Sequence, residues 1–245
     1  MEVFGARWKD YTEKLKKNWT ALVKPTDTVI LPGDISWAMT LEEAENDFAF
    51  LNSLPGTKII GKGNHDFWWA TMKKIDAFFA EKNFQTIRFL YNNAIRVENF
   101  IICGSRGWFY DASQGGLPDN TDYQKIVNRE VMRLRMSLEA AKSFPPECER
   151  IVFLHFPPVF RGFRCNEITE LLKEYGIRRC WFGHIHGVYN LPRTFVADGI
   201  SFSLVSADFL NFIPQLVFPT SENDAKMPPT KGNIGKSLDK EYEKR

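Results

Sequence analysis

Four short apolar segments of this 245-residue chain each end in Asp, Asn or His, and this repeated pattern constrains the fold most. The segments occupy residues 29–34, 59–66, 152–155 and 181–186. Each begins with a run of apolar residues short enough for a buried strand. Because ligands in open α/β sheets bind beyond the carboxyl ends of the strands, we expect the polar residues that end these segments to converge on one site.

Expected helices lie between these strands. They cover residues 8–23, 40–54, 71–82, 121–144 and 166–175, with capping patterns at Thr40 and Thr121 and a helix stop at Gly176. Residues 87–104 are expected to hold two strands, residues 104–120 a long loop, and the chain up to residue 218 further short strands. This alternation predicts an α/β fold with a largely parallel central sheet.

Length and composition predict one domain over residues 1–219 and a flexible polar tail over residues 220–245. The tail loses all aromatic residues except Tyr242 and is rich in Lys, Glu, Asp, Pro and Gly. The formal net charge of +2 argues against nucleic acid or an acidic membrane surface as a partner. No apolar run approaches membrane-spanning length, the first residues lack a signal-peptide core, and the four cysteines form no C-x-x-C motif. A cytoplasmic chain with reduced thiols is the simplest interpretation.

The residues at the strand ends are of metal-ligand types. Asp34, Asn64, His155, His184 and His186 form a mixed oxygen and nitrogen set without cysteine, which suits Mn²⁺, Fe or Zn²⁺. The two histidines at 184 and 186 project to the same side of an extended segment and could serve one metal or two neighbouring ones. A carboxylate such as that of Asp34 can bridge two cations about 3.5–4 Å apart.

Each of these residues has a structural alternative when it is taken alone. Asp34 could belong to an ordinary turn, Asn64 could cap the following helix, and His155 could be a buried core histidine. However, all four histidines of the chain follow strand ends. The joint pattern therefore favours a metal site over separate structural roles for these residues.

These motifs resemble those of the calcineurin-like metallophosphoesterases, and more narrowly those of a predicted bacterial-type phosphohydrolase of that superfamily. The signature of the superfamily is D-x-H, G-D, G-N-H-[DE], a lone H and G-H-x-H. This chain has Gly33–Asp34, Gly63–Asp66, His155 and Gly183–His186 in that order. The resemblance implies a β-sandwich of mixed sheets flanked by helices. It also implies a phosphoesterase that hydrolyses phosphate mono- or diesters with a metal-bound hydroxide at a dinuclear site.

The resemblance also implies a role for each metal-ligand residue. Asp34 would bridge two divalent metal ions, with manganese favoured and iron or zinc as alternatives. Asn64, His155 and His184 would complete the shell of the second metal, and His186 would bind the first.

Further roles concern catalysis and substrate binding. By the resemblance, His65 would act as a general acid or stabilise the transition state, and Asp66 would hold it in orientation. Arg106, Arg161 and Arg164 follow strands and could clamp phosphate oxygens, although an exposed loop charge is the simpler explanation for each. Trp68 and Trp69 could line a substrate cleft or belong to a core helix. The expected partner is a phosphorylated small molecule or phosphoprotein, while its identity and the oligomeric state stay open.

The chain departs from the family pattern in one motif. No Asp-x-His sequence occurs in it, and no strand precedes the helix near Trp8. We therefore expect the first strand and its metal ligands to be missing, either because the sequence starts at an internal methionine or because the protein is truncated. This absence supports an alternative function, namely a catalytically impaired relative that binds one metal and a phosphorylated ligand or partner.

Overall fold

The computed structural model of the chain describes residues 5–110 and 122–217. The polar tail expected over residues 220–245 and most of the loop expected over residues 104–120 lie outside these ranges. No helix in the described ranges is long and apolar enough to cross a membrane.

Five α-helices and eleven strands make up the described part of the chain. The helices are α1 (Tyr11–Leu22), α2 (Glu45–Ser53), α3 (Met72–Glu81), α4 (Tyr123–Ala140) and α5 (Asn166–Glu174). The first six strands are β1 (Thr28–Leu31), β2 (Thr57–Ile60), β3 (Ile87–Phe89), β4 (Ile95–Val97), β5 (Phe100–Ser105) and β6 (Glu149–Leu154). The others are β7 (Val159–Phe160), β8 (Phe163–Arg164), β9 (Arg179–Phe182), β10 (Thr194–Ala197) and β11 (Ile200–Leu204).

The strands form two main sheets and a small hairpin. One sheet has three parallel strands in the order β1-β2-β3. The other has six strands in the order β10-β11-β9-β6-β5-β4, with a parallel centre and an antiparallel strand at each edge. β7 and β8 pair separately with each other. The alternation of elements predicted one central sheet where the structure has two, whereas the β-sandwich of mixed sheets flanked by helices that the resemblance implied is confirmed.

Adjacent residues of one strand show how the layers are packed. Ile60 of β2 belongs to a core shared with α1, α2 and α3, whereas Ile59 belongs to a core shared with β5 and β6. On β6, Val152 faces a core that contains α4 and α5, whereas Ile151 joins the same core as Ile59. Because successive side chains of a strand point to opposite faces, the two sheets pack against each other with helices on both outer sides.

The boundaries of several elements differ from the sequence prediction for local reasons. The helix expected from residue 8 begins at Tyr11, after a separate 3-10 turn at Ala6–Trp8. The helix expected from Thr40 begins at Glu45, after a turn in which the Glu43 N–H donates to Thr40 Oγ1 and the Met39 N–H donates to Glu43 Oε2.

Two other predictions were incomplete. Residues 87–104 hold three strands rather than two, since β4 forms a short antiparallel edge beside β5. α4 is capped by Asp122, whose carboxylate accepts from the Lys125 N–H, and Thr121, where a cap was expected, lies outside the described residues. The strand predicted at residues 28–31 and the helix stop at Gly176, which has a φ of 65°, are confirmed.

Candidate metal centre

The carboxyl ends of four strands from the two sheets supply one cluster of polar side chains. Asp34 follows β1 and Asn64 follows β2, so both come from the three-stranded sheet. His155 follows β6 and His184 follows β9, which are neighbours in the six-stranded sheet. Because the two sheets pack face to face, their carboxyl ends bring residues that are 150 positions apart in sequence into one place.

The ligand atoms of this cluster converge on a small volume. His155 Nε2 lies 2.7 Å and His184 Nδ1 lies 3.0 Å from the same atom, Asn64 Oδ1. Asp34 Oδ2 lies 3.5 Å from His155 Nε2. One ligand atom from each of Asp34, His155 and His184 lies within 4.8 Å of the others. Two imidazole nitrogens, a carboxylate oxygen and an amide oxygen could therefore bind one divalent cation.

Two glycines allow the loops after β1 and β2 to approach closely. A Cβ atom at Gly63 would lie 2.0 Å from Asp34 Oδ1 and 2.3 Å from the Asp34 nitrogen. A Cβ atom at Gly33 would lie 2.4 Å from the Gly63 nitrogen, and Gly33 also has a φ of 115°. Only glycine fits at such contacts, so the two Gly residues set how near Asp34 lies to Asn64.

Two candidate ligands have left-handed backbone conformations. The φ angle is 57° at Asp34 and 65° at His184, although neither residue is glycine. Such conformations cost of order 1 kcal/mol or more and persist where surrounding contacts fix them. Both turn the chain sharply at the end of a strand, which directs these side chains toward the shared site.

The buried carboxylate of Asp66 ties the two loops together. It accepts hydrogen bonds from the backbone N–H groups of Asp34, Ile35, Ser36 and Gly63, and from the Trp68 indole. Burial raises the pKa of Asp66, and these N–H donors act in the opposite direction. No hydrogen bond joins Asp66 to the His65 ring in the described part of the chain. The hydrogen bonds of Asp66 thus go to the backbone of the loops and to Trp68, and its role in orienting His65 stays a prediction.

Two of the candidate ligands, Asp34 and His155, have perturbed pKa values with burial as the common main cause. Burial lowers the pKa of His155 well below its usual range, and the neighbouring His184 lowers it further, so the neutral imidazole needed for metal binding is favoured. Burial also raises the pKa of Asp34, while the His65 N–H, which donates to Asp34 Oδ1 at 2.8 Å, acts against this rise. A bound cation would favour the ionised carboxylate.

His186 lies outside this cluster and is held by a residue that the sequence reasoning missed. Its Nδ1–H donates to Asp208 Oδ1 at 2.7 Å, and the fully buried Asp208 also accepts from the Gly187 N–H and the Tyr189 hydroxyl. Burial acts to raise the pKa of Asp208, but these hydrogen bonds outweigh it and lower the pKa. A carboxylate on Nδ1 leaves Nε2 as the ligand atom of His186. Asp208 follows the apolar strand β11, so the strand-end pattern contained a signal for it.

His65 lies beside the cluster between aromatic side chains. Trp37 stacks on its imidazole ring with 4.0 Å between the ring centroids, and the ring of Phe67 approaches it edge-on at 5.8 Å. Trp37 is 44% exposed and Phe67 is 49% exposed, so both reach the surface around His65. The sequence analysis did not single out either residue.

The three candidate arginines lie in two different places. Arg106 follows β5, and its Nη2 lies 3.3 Å from Oε1 of the buried Glu130. Its charge contributes to the low pKa of His155, which places it near the cluster. Arg161 and Arg164 lie in the β7–β8 hairpin, where Arg164 forms an ion pair with Asp198 and Arg161 lies over the Phe160 ring.

The two adjacent tryptophans are core residues rather than walls of an open cleft. Trp68 is 2% exposed and packs edge-on against Phe48 of α2. Trp69 is half-buried and packs against Phe89.

Comparison with known proteins assigns this site to a family. A sequence model of the calcineurin-like phosphoesterases matches residues 6–188, which is most of the chain and includes Asp34, Asn64, His155, His184 and His186. The chain therefore belongs to the calcineurin-like phosphoesterase family. A search of curated proteins found no match.

Solved structures agree with this fold. The crystal structure of TT1561 of Thermus thermophilus is similar with a TM-score of 0.54 and 12% sequence identity, over 83% of this chain and 86% of that one. A second solved structure gives a TM-score of 0.51 and 13% identity, over 80% of this chain and 85% of the other. At these identities the similarity shows a shared fold.

Proposed function

We propose that this chain is a metal-dependent hydrolase of phosphate mono- or diesters that acts at a dinuclear site. The observation that carries the proposal is the convergence of Asp34, Asn64, His155 and His184 at the ends of four strands. Membership of the calcineurin-like phosphoesterases supports the same chemistry. The substrate would be a phosphorylated small molecule or a phosphoprotein.

The donor set fits a divalent cation. Asn64 Oδ1 lies between the two imidazole nitrogens, His155 is neutral, and the Asp34 carboxylate borders the same volume. These four residues would hold one ion, and Asp34 and His186 would contribute to a second. Bound divalent ions would polarise the phosphoryl group and lower the pKa of water, and manganese is the ion that we propose first.

The residues around this volume would orient the substrate and provide a proton donor. The backbone N–H of His65 donates a hydrogen bond to Asp34, and its half-buried imidazole stacks on Trp37 at the rim of the site. We propose that His65 donates a proton to the leaving-group oxygen or stabilises the charged transition state. Arg106, Arg161 and Arg164 stay candidates for binding substrate oxygens, and Arg106 lies nearest to the ligands.

A second candidate function rests on the position of His186. Among the described residues, the group that could hold a metal comprises Asp34, His155 and His184, and His186 is paired with Asp208 instead. A chain with one complete metal site could bind a phosphorylated ligand or partner without hydrolysing it. The two functions differ in the number of bound ions and in turnover.

The cysteines agree with the proposed cytoplasmic location. All four are free and buried, and burial raises the pKa of Cys103 to about 12 and that of Cys165 to about 11. Such thiols are weak nucleophiles and fit the structural role of small apolar side chains.

The test is hydrolysis of p-nitrophenyl phosphate and bis(p-nitrophenyl) phosphate by the purified chain, with and without added Mn²⁺. The variant His65→Ala removes the proposed proton donor, and Arg129→Ala on the exposed side of α4 serves as the control. We expect metal-dependent turnover that falls by about 100-fold or more in His65→Ala and is unchanged in Arg129→Ala. Metal binding without turnover of either ester would contradict the hydrolase and support the binding protein.

A further inference from the structure

Three basic side chains surround one buried carboxylate beside the metal centre. Arg133 Nη1 lies 2.6 Å and Arg106 Nη2 lies 3.3 Å from Glu130 Oε1, and the side chain of Glu130 is fully buried. Lys62 lines the same cleft together with Tyr91. We call Lys62, Arg106 and Arg133 the basic cluster.

The fold places the basic cluster next to the candidate metal ligands. Lys62 follows β2 and lies two residues before Asn64, and Arg106 follows β5, which pairs with β6. The backbone N–H of Phe156, the residue after His155, donates to the Arg106 carbonyl at 2.8 Å. The cluster therefore lies at the same edge of the sandwich as the metal centre, one strand further along the six-stranded sheet.

The charges in this cleft are not balanced. Glu130 is the one carboxylate that pairs with the cluster among the described residues, and it pairs with both arginines. Lys62 has no ion pair there and lies 5.8 Å from the centroid of the Trp69 ring. The carboxylate of Asp66 also attracts Lys62, so three cations near two carboxylates leave one positive charge that an anion could neutralise.

The cleft also contains polar atoms that lack partners. Arg106 Nε, Glu130 Oε2 and Asn92 Oδ1 are buried without a hydrogen bond in the described part of the chain. They line a cavity of about 10 Å³, which has room for one water molecule. Such a water could serve the two acceptors, whereas Arg106 Nε is a donor suited to an oxyanion. The arginine side chains are 23% and 29% exposed, so an anion can reach them from solvent.

We propose that Lys62, Arg106 and Arg133 form a second anion subsite that binds an additional phosphate group of the substrate. This inference rests on the proposed function and narrows the substrate class to phosphoesters with a second anionic group. The reacting phosphoryl group would lie at the metal ligands, and the second group would lie on the basic cluster.

Two simple substrates test this inference. Propyl phosphate and propane-1,3-diol bisphosphate share the reacting ester and differ in the second phosphate. The bisphosphate has two equivalent esters, which alone would double its kcat/KM relative to propyl phosphate. We expect the second phosphate to raise its kcat/KM by about a further tenfold. Lys62→Met should bring the ratio of the two kcat/KM values close to two.

Matched variants separate the subsite from a general effect of charge. Lys73 lies exposed on α3 and Arg129 lies exposed on α4, so Lys73→Met and Arg129→Met remove the same charge away from the cleft. Both should keep the wild-type ratio. Arg133→Met should also lose the preference, but it leaves the buried Glu130 with Arg106 alone. Lys62→Met is thus the decisive variant, because Lys62 has no ion pair among the described residues and its replacement leaves no buried carboxylate without a partner.

Binding of inorganic phosphate gives a readout that does not depend on catalysis. The protein is stripped of metal and dialysed free of chelator. It is then titrated into inorganic phosphate while the ³¹P line width of the phosphate is measured. We expect line broadening in the wild type and in Lys73→Met, and its loss in Lys62→Met. If neither ester is hydrolysed but this pattern is seen, the proposed function fails and the subsite stands. A wild-type ratio of kcat/KM values of about two or less, or line broadening that Lys62→Met leaves unchanged, overturns the subsite.

Discussion

The indole ring of Trp37 lies parallel to the imidazole ring of His65, with 4.0 Å between the ring centroids and 15° between the planes. Trp37 comes three residues after Asp34, and the His65 N–H donates to the Asp34 carboxylate. The loop after β1 therefore holds both the backbone and the ring of His65. This makes Trp37 a positioning residue for the proposed proton donor.

Replacement of Trp37 should affect turnover more than substrate binding. We expect Trp37→Ala to lower kcat about tenfold with a small change in KM, because the imidazole loses the surface that fixes its orientation. Trp37→Phe should retain most of the activity, since it keeps an aromatic face. Met39→Ala, at a neighbouring residue that is 65% exposed, is the control. A parallel fall of kcat in Met39→Ala, or full activity in Trp37→Ala, would argue against positioning.

Replacement of Asp208 should weaken metal binding at His186. Asp208→Asn keeps the size of the side chain but removes the charge that fixes the His186 tautomer. We expect the affinity for the more weakly bound metal to fall about 10- to 100-fold in a calorimetric titration. Asp198→Asn, in the exposed pair with Arg164, should leave that affinity unchanged. An unaltered titration in Asp208→Asn would show that the pair does not support a metal ligand.

The close approach of the first two loops predicts a sharp difference between neighbouring glycines. Gly63→Ala would place a Cβ atom 2.0 Å from Asp34 Oδ1, so we expect loss of metal binding and destabilisation by several kcal/mol. In Gly61→Ala the nearest atom to the new Cβ would be 3.6 Å away, so stability should change little. Urea denaturation and metal titration of both variants check this. Equal stability of the two variants would contradict the close approach of the loops that follow β1 and β2.

The buried Lys58 of β2 predicts a pH dependence of stability. Its Nζ donates to the carbonyl oxygens of Leu54 and Gly56, and burial lowers its pKa to about 8. The unfolded chain, with the ordinary lysine pKa near 10.4, binds more protons between about pH 8 and 10, so the free energy of unfolding should rise with pH there.

The effect can be isolated with Lys58→Met, because other titrating groups are common to both proteins. Between about pH 7 and pH 9.5 the wild type should gain about 2 kcal/mol more than Lys58→Met in urea denaturation. An equal gain in the two proteins would mean that Lys58 has an ordinary pKa in the folded state.

The strand ends could be predicted from sequence because each carries its own local signal. β1 is an apolar run that ends before Pro32 and Gly33, which lead to Asp34, and the apolar end of β6 is followed directly by His155. The family motifs then ordered these residues into one site. The resemblance also implied a sandwich of mixed sheets, but the pairing order within each sheet was not predicted, because it depends on contacts between distant segments such as β5 and β6.

The roles of Asp66, Trp37 and Asp208 could not be predicted for the same physical reason. Asp66 is adjacent to His65 in sequence, yet its carboxylate binds backbone groups around Asp34, 32 residues away. Asp208 acts on His186 across 22 residues that fold into a hairpin. Such partners are set by tertiary packing, whereas sequence patterns report mainly local structure.

The most direct test of the account is Mn²⁺ binding by the purified chain, measured by calorimetry and by electron paramagnetic resonance with ¹⁵N-labelled histidine. We expect at least one ion per chain, nitrogen couplings from histidine, and loss of the tightest site in both Asn64→Ala and His155→Ala. His65→Ala should bind the metal as the wild type does. No bound ion, or a tight site that survives Asn64→Ala and His155→Ala unchanged, would contradict the assignment of the metal centre.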